Sequence, residues 1–326
     1  MQQMMVSCDW GTSSLRLRLA GITDAVTIAT LSTDDGIASV HQRWVVVNNA
    51  NAISRHSFYL SFLYKYIKDL LQKANVNNNV SVVVISGMAS SSIGFVDIPY
   101  ANLPFNLNGT GAASVTLEAT DDFPFVTSII SGIRSDRDVL RGEETQLIGM
   151  EEVLEKSEDM EMLCLLPGTH SKHIWIKNGN ITDFRTYMTG EIFALLSRHS
   201  VLADCVSDHI HLNDSCNEAF DNGVAHSEDR DLLNSIFSVR VNCLFERMPK
   251  KENTSYLSGL LIGTELRNLQ KLANTQFILA STDPLLRLYT RGLRRLGLSK
   301  QTVFLHPTQF EQFSLKGHLK INSKLN

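Results

Sequence analysis

An acid followed two residues later by Gly-Thr-Ser-Ser is a residue set that can hold a phosphate. It occurs as Asp9, Gly11, Thr12, Ser13 and Ser14 within VSCDWGTSSLRLRL. Gly11 lets the backbone come close to a ligand, and its neighbours supply N–H and hydroxyl donors of the kind that cradle phosphate oxygens. Asp9, at the end of an apolar run, is placed to hold a metal ion through water. An ordinary hairpin with a solvated turn fits the same residues. CLLPGTHSKHIWI at 164–176 repeats the pattern half a chain later, with Gly168, Thr169 and Ser171 standing as Gly11, Thr12 and Ser14 do. Two matching turns point to two related halves, each offering donors to a phosphate. Within the second loop, His170 is a neutral donor to phosphate or a plain loop histidine, and Lys172 a phosphate ligand or a solvated turn lysine.

A phosphate site with a hydroxyl acceptor also needs a base. Glu143 and Glu144 stand in the first turn of the helix expected over 139–155. Acids favour helix N-termini through the macrodipole. One of these two could instead take the proton of an attacking hydroxyl in phosphoryl transfer. SGMASSSIG at 86–94 follows a β-branched run, Val80–Ile85, that reads as a buried parallel strand. Ligands sit past such strand ends. Gly87, Met88 and the small residues after them could admit a sugar, or form a flexible connection. Neighbouring His170 and Ser171 do not suggest a hydrolase, because a nucleophile elbow needs strand–G-x-S-x-G–helix context. Cys205, His209, His211 and Cys216 are residue types that suit zinc, but their spacing lacks the CxxC pairs of structural zinc.

The elements that must position these groups follow from periodicity. Leu15, Leu17 and Leu19 alternate with Arg16, Arg18 and Ala20, which predicts strand, tight turn, strand around the first loop. A strand is expected over 25–33, a turn at Asp34-Asp35-Gly36, and a helix over 54–73. That helix gathers Phe58, Phe62, Leu63, Tyr66, Ile67, Leu70 and Leu71 on one face. Asn75 to Asn79 reads as a polar break. Residues 97–105 read as extended because each Pro biases the residue before it away from helix. The charged run at 155–161 reads as a solvated connection. Strands are then expected at 162–166 and 173–177, and a third over 180–188 after an Asn178-Gly179 turn. Helices follow from Thr189, as a cap, to Arg198, and over 229–247 and 255–273. The last of these has a buried face from Tyr256 to Leu272. A final helix opens at Asp283-Pro284 and stops at Gly297.

Bulk properties narrow the class. A chain of 326 residues, 43% hydrophobic, suggests two domains with ordinary cores. A net charge of −4 offers no basic surface for nucleic acid. No apolar run approaches the ~18 residues of a membrane span. The N-terminal residues carry no signal-peptide pattern. Five scattered cysteines fit a reduced, cytoplasmic protein.

The chain resembles the sugar-kinase branch of the actin-like ATPase superfamily, and within it the 2-dehydro-3-deoxygalactonokinase family. The match is carried by DWGTSSLR at 9–16, GMASSSIGFVDIPYANLPF at 87–105, RGEETQLIG at 141–149, LPGTHSKHIWI at 166–176, DFRTYMTGE at 183–191 and YLSGLLIGTEL at 256–266. The resemblance implies an α/β fold of two ribonuclease H-like domains around a central cleft. Each domain is a mixed five-stranded sheet with flanking helices, over residues 1–145 and 146–326. It implies ATP and Mg2+ as cofactors, with phosphorylation of the 6-hydroxyl of 2-dehydro-3-deoxy-D-galactonate. Alternatives are a kinase for another keto-sugar acid or sugar, and a nucleotide-binding regulator without kinase activity.

Related carbohydrate kinases carry Gly-Gly-Asp-Asn on the helix of the base. Gly142-Glu143-Glu144 resembles it, with Glu143 the better match, Glu144 second and Asp138 an outside candidate. A sugar-acid carboxylate calls for a guanidinium, for which Arg141 and Arg16 are the candidates, each otherwise a surface or ion-paired arginine. The sequence departs from the family at Ala280-Ser281, where a glycine passes the nucleotide. It departs again in QFEQFSLKGHLKINSKLN, which lacks the closing Ala-Gly motif. The expected partners are the sugar acid and ATP, without nucleic acid or membrane, and a homodimer stays open.

Overall fold

The structure is a computed structural model that describes residues 3–51, 53–76, 80–154, 161–229, 231–272 and 274–325. The charged run at 155–161, save Glu161, and residues 77–79 of the polar break lie outside the described residues. By its contacts the chain divides into two units. One comprises Met1–Lys156, Gly179–Asp183 and Gln312–Asn326, and the other Ser157–Asn178 and Phe184–Glu311.

In the first unit, β1 (Met4–Trp10) and β2 (Leu15–Gly21) form an antiparallel hairpin extended by β3 (Thr27–Thr33). Leu15, Leu17 and Leu19 are buried and Arg16 is exposed, as the alternation requires. Helices α1 (Ile37–Asn51) and α2 (Arg55–Ala74) come next. The β-branched run Val45-Val46-Val47 favours strand by local propensity, and that masks α1 in the sequence. The Ser54 side chain caps α2 by accepting from the Ser57 N–H, and Asn75 ends the helix in the left-handed region. Its buried residues are Tyr59, Leu63, Ile67, Leu70 and Leu71. Phe58, Phe62 and Tyr66 pack at the margin of that core, and the fully buried Trp10 stacks on Phe62.

Strand β4 (Val80–Gly87) runs parallel to β1 and is buried from Val82 onward. Short strands β5 (Ala101–Asn102), β6 (Phe105–Asn106) and β7 (Ser114–Leu117) lead to β8 (Thr127–Ile130), which is parallel to β4. The main sheet is ordered β3-β2-β1-β4-β8-β7. It consists of the expected five strands plus an antiparallel edge strand. Strands β9 (Ile133–Arg134) and β10 (Val139–Leu140) join β5 in a small sheet ahead of α3 (Glu143–Gly149) and α4 (Glu151–Leu154). The helix expected over 139–155 therefore starts four residues late. Val139 and Leu140 pair with Arg134 and Ile133 instead, and Gly142 has a positive φ that no helix allows.

In the second unit, β11 (Met162–Leu166) and β12 (Ser171–Lys177) form the second hairpin, extended by β13 (Asn180–Tyr187). Helices α5 (Thr189–His199), α6 (Asp214–Asp229), α7 (Leu232–Leu244) and α8 (Lys250–Leu266) precede β14 (Gln276–Leu279). Helix α9 (Leu285–Arg295) then leads to β15 (Thr302–Phe304). Strands β11, β14 and β15 are parallel neighbours. The order β13-β12-β11-β14-β15 thus repeats β3-β2-β1-β4-β8. β6 pairs with Asn180 and Ile181, residues that group with it in the first unit.

Helix α8 is buried at almost every position from Asn253 to Leu266. Cys205 and Cys216 are buried, the latter on α6, and no group of three metal-ligating side chains is found among the described residues. None of the described helices is long and apolar enough to cross a membrane.

The last helix, α10 (Pro307–Leu325), enters the first unit from Gln312 onward. Buried His318 meets Ser7 of β1, with Nδ1 2.7 Å from Oγ. A Cβ on Gly149 would overlap the Phe313 carbonyl, and one on Gly317 the Thr145 carbonyl. QFEQFSLKGHLKINSKLN therefore does hold a small residue where α10 crosses α3. Helix α3 thus packs on α10 within the first unit.

Candidate active site

The first loop is fixed by its own turn and by the start of α1. Gly11 N–H donates to the Ser14 carbonyl, and the N–H groups of Ile37 and Ala38 donate to the carbonyls of Gly11 and Thr12. Gly36 lies so close beneath that a Cβ would overlap Thr12 and Ser13. Asp35 anchors this corner, accepting from Arg43 and Tyr66 through its side chain and from the Trp10 indole through its carbonyl. The carbonyls are thus directed into the protein. The hydroxyls of Thr12, Ser13 and Ser14 take no partner among the described residues.

The second loop is built the same way in its own unit. The Glu191 N–H donates to the Thr169 carbonyl, and Gly190 leaves no room for a Cβ against Gly168 and Thr169. Thr169 is exposed and Gly168 half-buried. His170 Nε2 lies 2.6 Å from Glu191 Oε2, so that nitrogen carries a proton toward the carboxylate. Ser171 and Lys172 differ from expectation. Both are buried; the Ser171 hydroxyl donates to Glu265, and the Lys172 ammonium donates to the His170 carbonyl. Strand alternation places them on opposite faces of β12, and both faces of this central strand are covered. A solvated Lys172 is ruled out by its 5% exposure.

Around the first loop the structure gathers most of the remaining candidates. Asp9, next to last in β1, pairs with Arg16, with Oδ2 3.5 Å from Arg16 Nη1. Burial raises the Asp9 carboxyl, Arg16 and Arg18 oppose the shift, and the Glu143 carboxylate adds to it. Asp9 and Glu143 therefore share one electrostatic field. Gly87 closes β4 with a positive φ, and a Cβ there would overlap the Trp10 carbonyl. Gly142 packs directly on it, a Cβ at Gly142 falling 3.1 Å from Gly87 Cα. This contact sets the start of α3 on the end of β4. Half-buried Met88 opens the next turn.

The two glutamates separate in role. Glu143 is half-buried and accepts from the Arg141 N–H at 2.9 Å through Oε2. Glu144 is 1% exposed and accepts from the Gly142 N–H and the Thr145 hydroxyl. Burial, with Glu143 beside it, pushes its acid up to about 8. Burial thus favours its neutral form, and it is a cap beneath the site. Asp138 closes the β9–β10 turn, where its carboxylate accepts from the Val139 N–H.

Arg141 is held against Ser90, donating to its carbonyl and, at 2.8 Å, to its hydroxyl. Its guanidinium lies 4.1 Å from the Tyr100 ring centroid, within cation–π reach. Its Nε is buried without a partner among the described residues. Arg16 is instead more than half exposed and committed to Asp9. Sequence reasoning missed Tyr100, Ser90 and Glu265. The last was visible as a lone acid in the apolar run LSGLLIGTEL.

Three antiparallel strands followed by two parallel ones, in both units, with a Gly-Thr loop joining the first two strands each time, define the actin-like ATPase class. Within it, the family model for 2-keto-3-deoxy-galactonokinase matches residues 9–312. The chain belongs to that family, whose members are sugar-acid kinases.

The chain is 30% identical over 188 residues to the 2-dehydro-3-deoxygalactonokinase of Escherichia coli (strain K12), covering 58% of this chain and 61% of that relative. It therefore spans less than two thirds of that relative's length in the match. It is 28% identical over 302 residues to the candidate 2-dehydro-3-deoxygalactonokinase DgoK1 of Rhizobium meliloti (strain 1021), covering 90% of each. A solved structure of a candidate 2-dehydro-3-deoxygalactonokinase from Sinorhizobium meliloti superposes with a TM-score of 0.77. It is 25% identical, with 97% of this chain and 95% of that chain covered.

Proposed function

We propose that this protein transfers the γ-phosphoryl group of ATP to the 6-hydroxyl of 2-dehydro-3-deoxy-D-galactonate, releasing ADP. The observation that carries this reading is the shared field of Asp9 and Glu143 at the first Gly-Thr loop, with Arg141 beside them. In this reading the hydroxyls of Thr12, Ser13 and Ser14 take phosphate oxygens, with Gly11 clearing the approach; within the second unit the exposed Thr169, beside Gly168, is a phosphate loop of the same kind. The substrate's hydroxyl oxygen attacks the γ-phosphorus as the bond to the β–γ bridging oxygen breaks, and the hydroxyl proton passes to Glu143. The Arg141 N–H donates to Glu143 Oε2 and so orients this carboxylate. Arg141 receives the substrate carboxylate, and its unpartnered Nε supports that role. Gly87 and Met88 border the acceptor.

The residues present suit magnesium. A half-buried carboxylate raised by desolvation, with a second carboxylate adding to the shift, gains from a divalent cation, and magnesium is usually held by one or two carboxylates plus phosphate oxygens. Asp9 would hold it, and the ion would supply charge neutralisation on the phosphates. The five free cysteines, four of them buried, support a reducing, cytoplasmic setting.

A coupled ADP-release assay tests the proposal with the galactonate-derived acid and a panel of keto-sugar acids and sugars. Acceptor-dependent turnover restricted to that acid is expected. Turnover only with another acceptor would reassign the substrate, and ADP binding without turnover on any acceptor would mark a nucleotide-binding regulator.

A further inference from the structure

Three of the segments that carry the family resemblance meet at one atom group that neither the phosphate chemistry nor the base explains. Glu265, near the end of α8, is 2% exposed. Its Oε1 accepts from the Ser171 hydroxyl at 2.7 Å and His173 Nε2 at 2.9 Å. Its Oε2 accepts from the Thr189 hydroxyl and, at 2.6 Å, from the Tyr289 hydroxyl. Tyr289 also reaches Ser171 Oγ at 3.3 Å. The four donors come from the strand leaving the second loop, from the first turn of α5, and from α9. We propose that Glu265 is a positioning residue for the second Gly-Thr loop, its buried carboxylate fixing Ser171 and Thr189 so that Thr169 is presented to the nucleotide.

The geometry supports this from two sides. Ser171 holds one end of the loop, two residues beyond Thr169. Thr189 precedes Gly190 and Glu191, which press on Gly168 and donate to the Thr169 carbonyl. One anion therefore fixes both the strand that leaves the loop and the helix start packed on it. An uncompensated charge could not stay at this depth. Burial pushes the Glu265 carboxyl up, and the donors, His173 first, more than offset it and leave it below its ordinary value. A carboxylate accepts from all four partners at once; an amide would turn its own N–H groups on two of them, and those partners would have to rotate their hydroxyls to accept.

The proposal rests on the nucleotide-binding reading above, so its test needs a readout independent of nucleotide. Glu265→Gln is compared with wild type by thermal melting, by hydrogen exchange of residues 168–172, by ADP titration calorimetry and by steady-state kinetics. Expected are a folded variant, faster exchange confined to the loop and the α5 start, and ADP affinity and ATP KM weakened at least tenfold. The KM for the sugar acid should stay within twofold. Ser171→Ala should weaken ATP as well, and the double variant should be no worse than Glu265→Gln alone. Unchanged loop exchange in a folded Glu265→Gln overturns the proposal, as does an equal loss of affinity for ATP and sugar acid. If Glu265→Gln does not fold, Tyr289→Phe removes one donor and should raise the ATP KM at least threefold; an unchanged value overturns the proposal. A wild-type chain that binds no ADP overturns the nucleotide reading instead, and loop exchange alone then decides for or against Glu265.

Discussion

Two adjacent glutamates differ in surroundings because one residue of helix turns the side chain by about 100 degrees. Glu143 faces the field of Asp9, while Glu144 turns inward to cap its own helix. Replacing Glu143 by Gln should lower kcat about 10²- to 10⁴-fold and leave ADP affinity within twofold, measured by coupled assay and calorimetry. Glu144→Gln should keep most of the activity. Its signature is in stability instead. A carboxyl raised from 4.5 to about 8 in the folded state binds its proton more tightly there than in the unfolded chain. Its contribution is present below pH 4.5 and is lost as pH rises toward 8. The wild-type melting temperature should therefore fall from pH 6.5 to 8.5 more steeply than that of Glu144→Gln.

At the scale of elements, α3 carries the proposed base and is held by α10. The crossing depends on Gly149 and Gly317, each packed against the other helix's backbone. Gly317→Ala inserts a methyl group where only a backbone shift can make room. It should cost about 1–3 kcal/mol in chemical denaturation and lower activity by displacing α3. His318 ties the same helix to β1 through Ser7. Burial, with Arg18 nearby, lowers its pKa to about 3. The unfolded chain binds that proton first, so this group's contribution is full above pH 6.5 and is lost as pH falls toward 3. His318→Gln should flatten the acid side of the melting profile, where the wild type declines.

At the scale of the whole molecule, each unit repeats one topology and one device: a Gly-Thr turn held from below by a glycine at a helix start. Gly36 serves the first and Gly190 the second. The C-terminal segment Gln312–Asn326 groups with the first unit rather than the second. Deleting residues 312–326 should uncover apolar surface on β1 and α3. The truncated chain should give no cooperative melt and should aggregate, as followed by circular dichroism and light scattering. A cooperative melt at the wild-type temperature would contradict this placement.

The sequence by itself determined the two hairpins, their loops and the class of chemistry. Leu15, Leu17 and Leu19 alternate with the period of a half-buried strand, and Gly-Thr turns are local chemistry that survives any packing. It also determined α2, because seven apolar residues at helical spacing leave little choice of face. Only the tertiary structure decided what the side chains around those loops do. Ser171 reads as a loop hydroxyl, yet it donates to Glu265, 94 residues away. Glu143 is favoured over Glu144 in the sequence only by resemblance to a short motif, and what separates them physically is which of them the core covers. Gly317 looks isolated until Thr145 lies beneath it. Local periodicity reports which face is apolar; it carries no record of which distant backbone or carboxylate that face will meet.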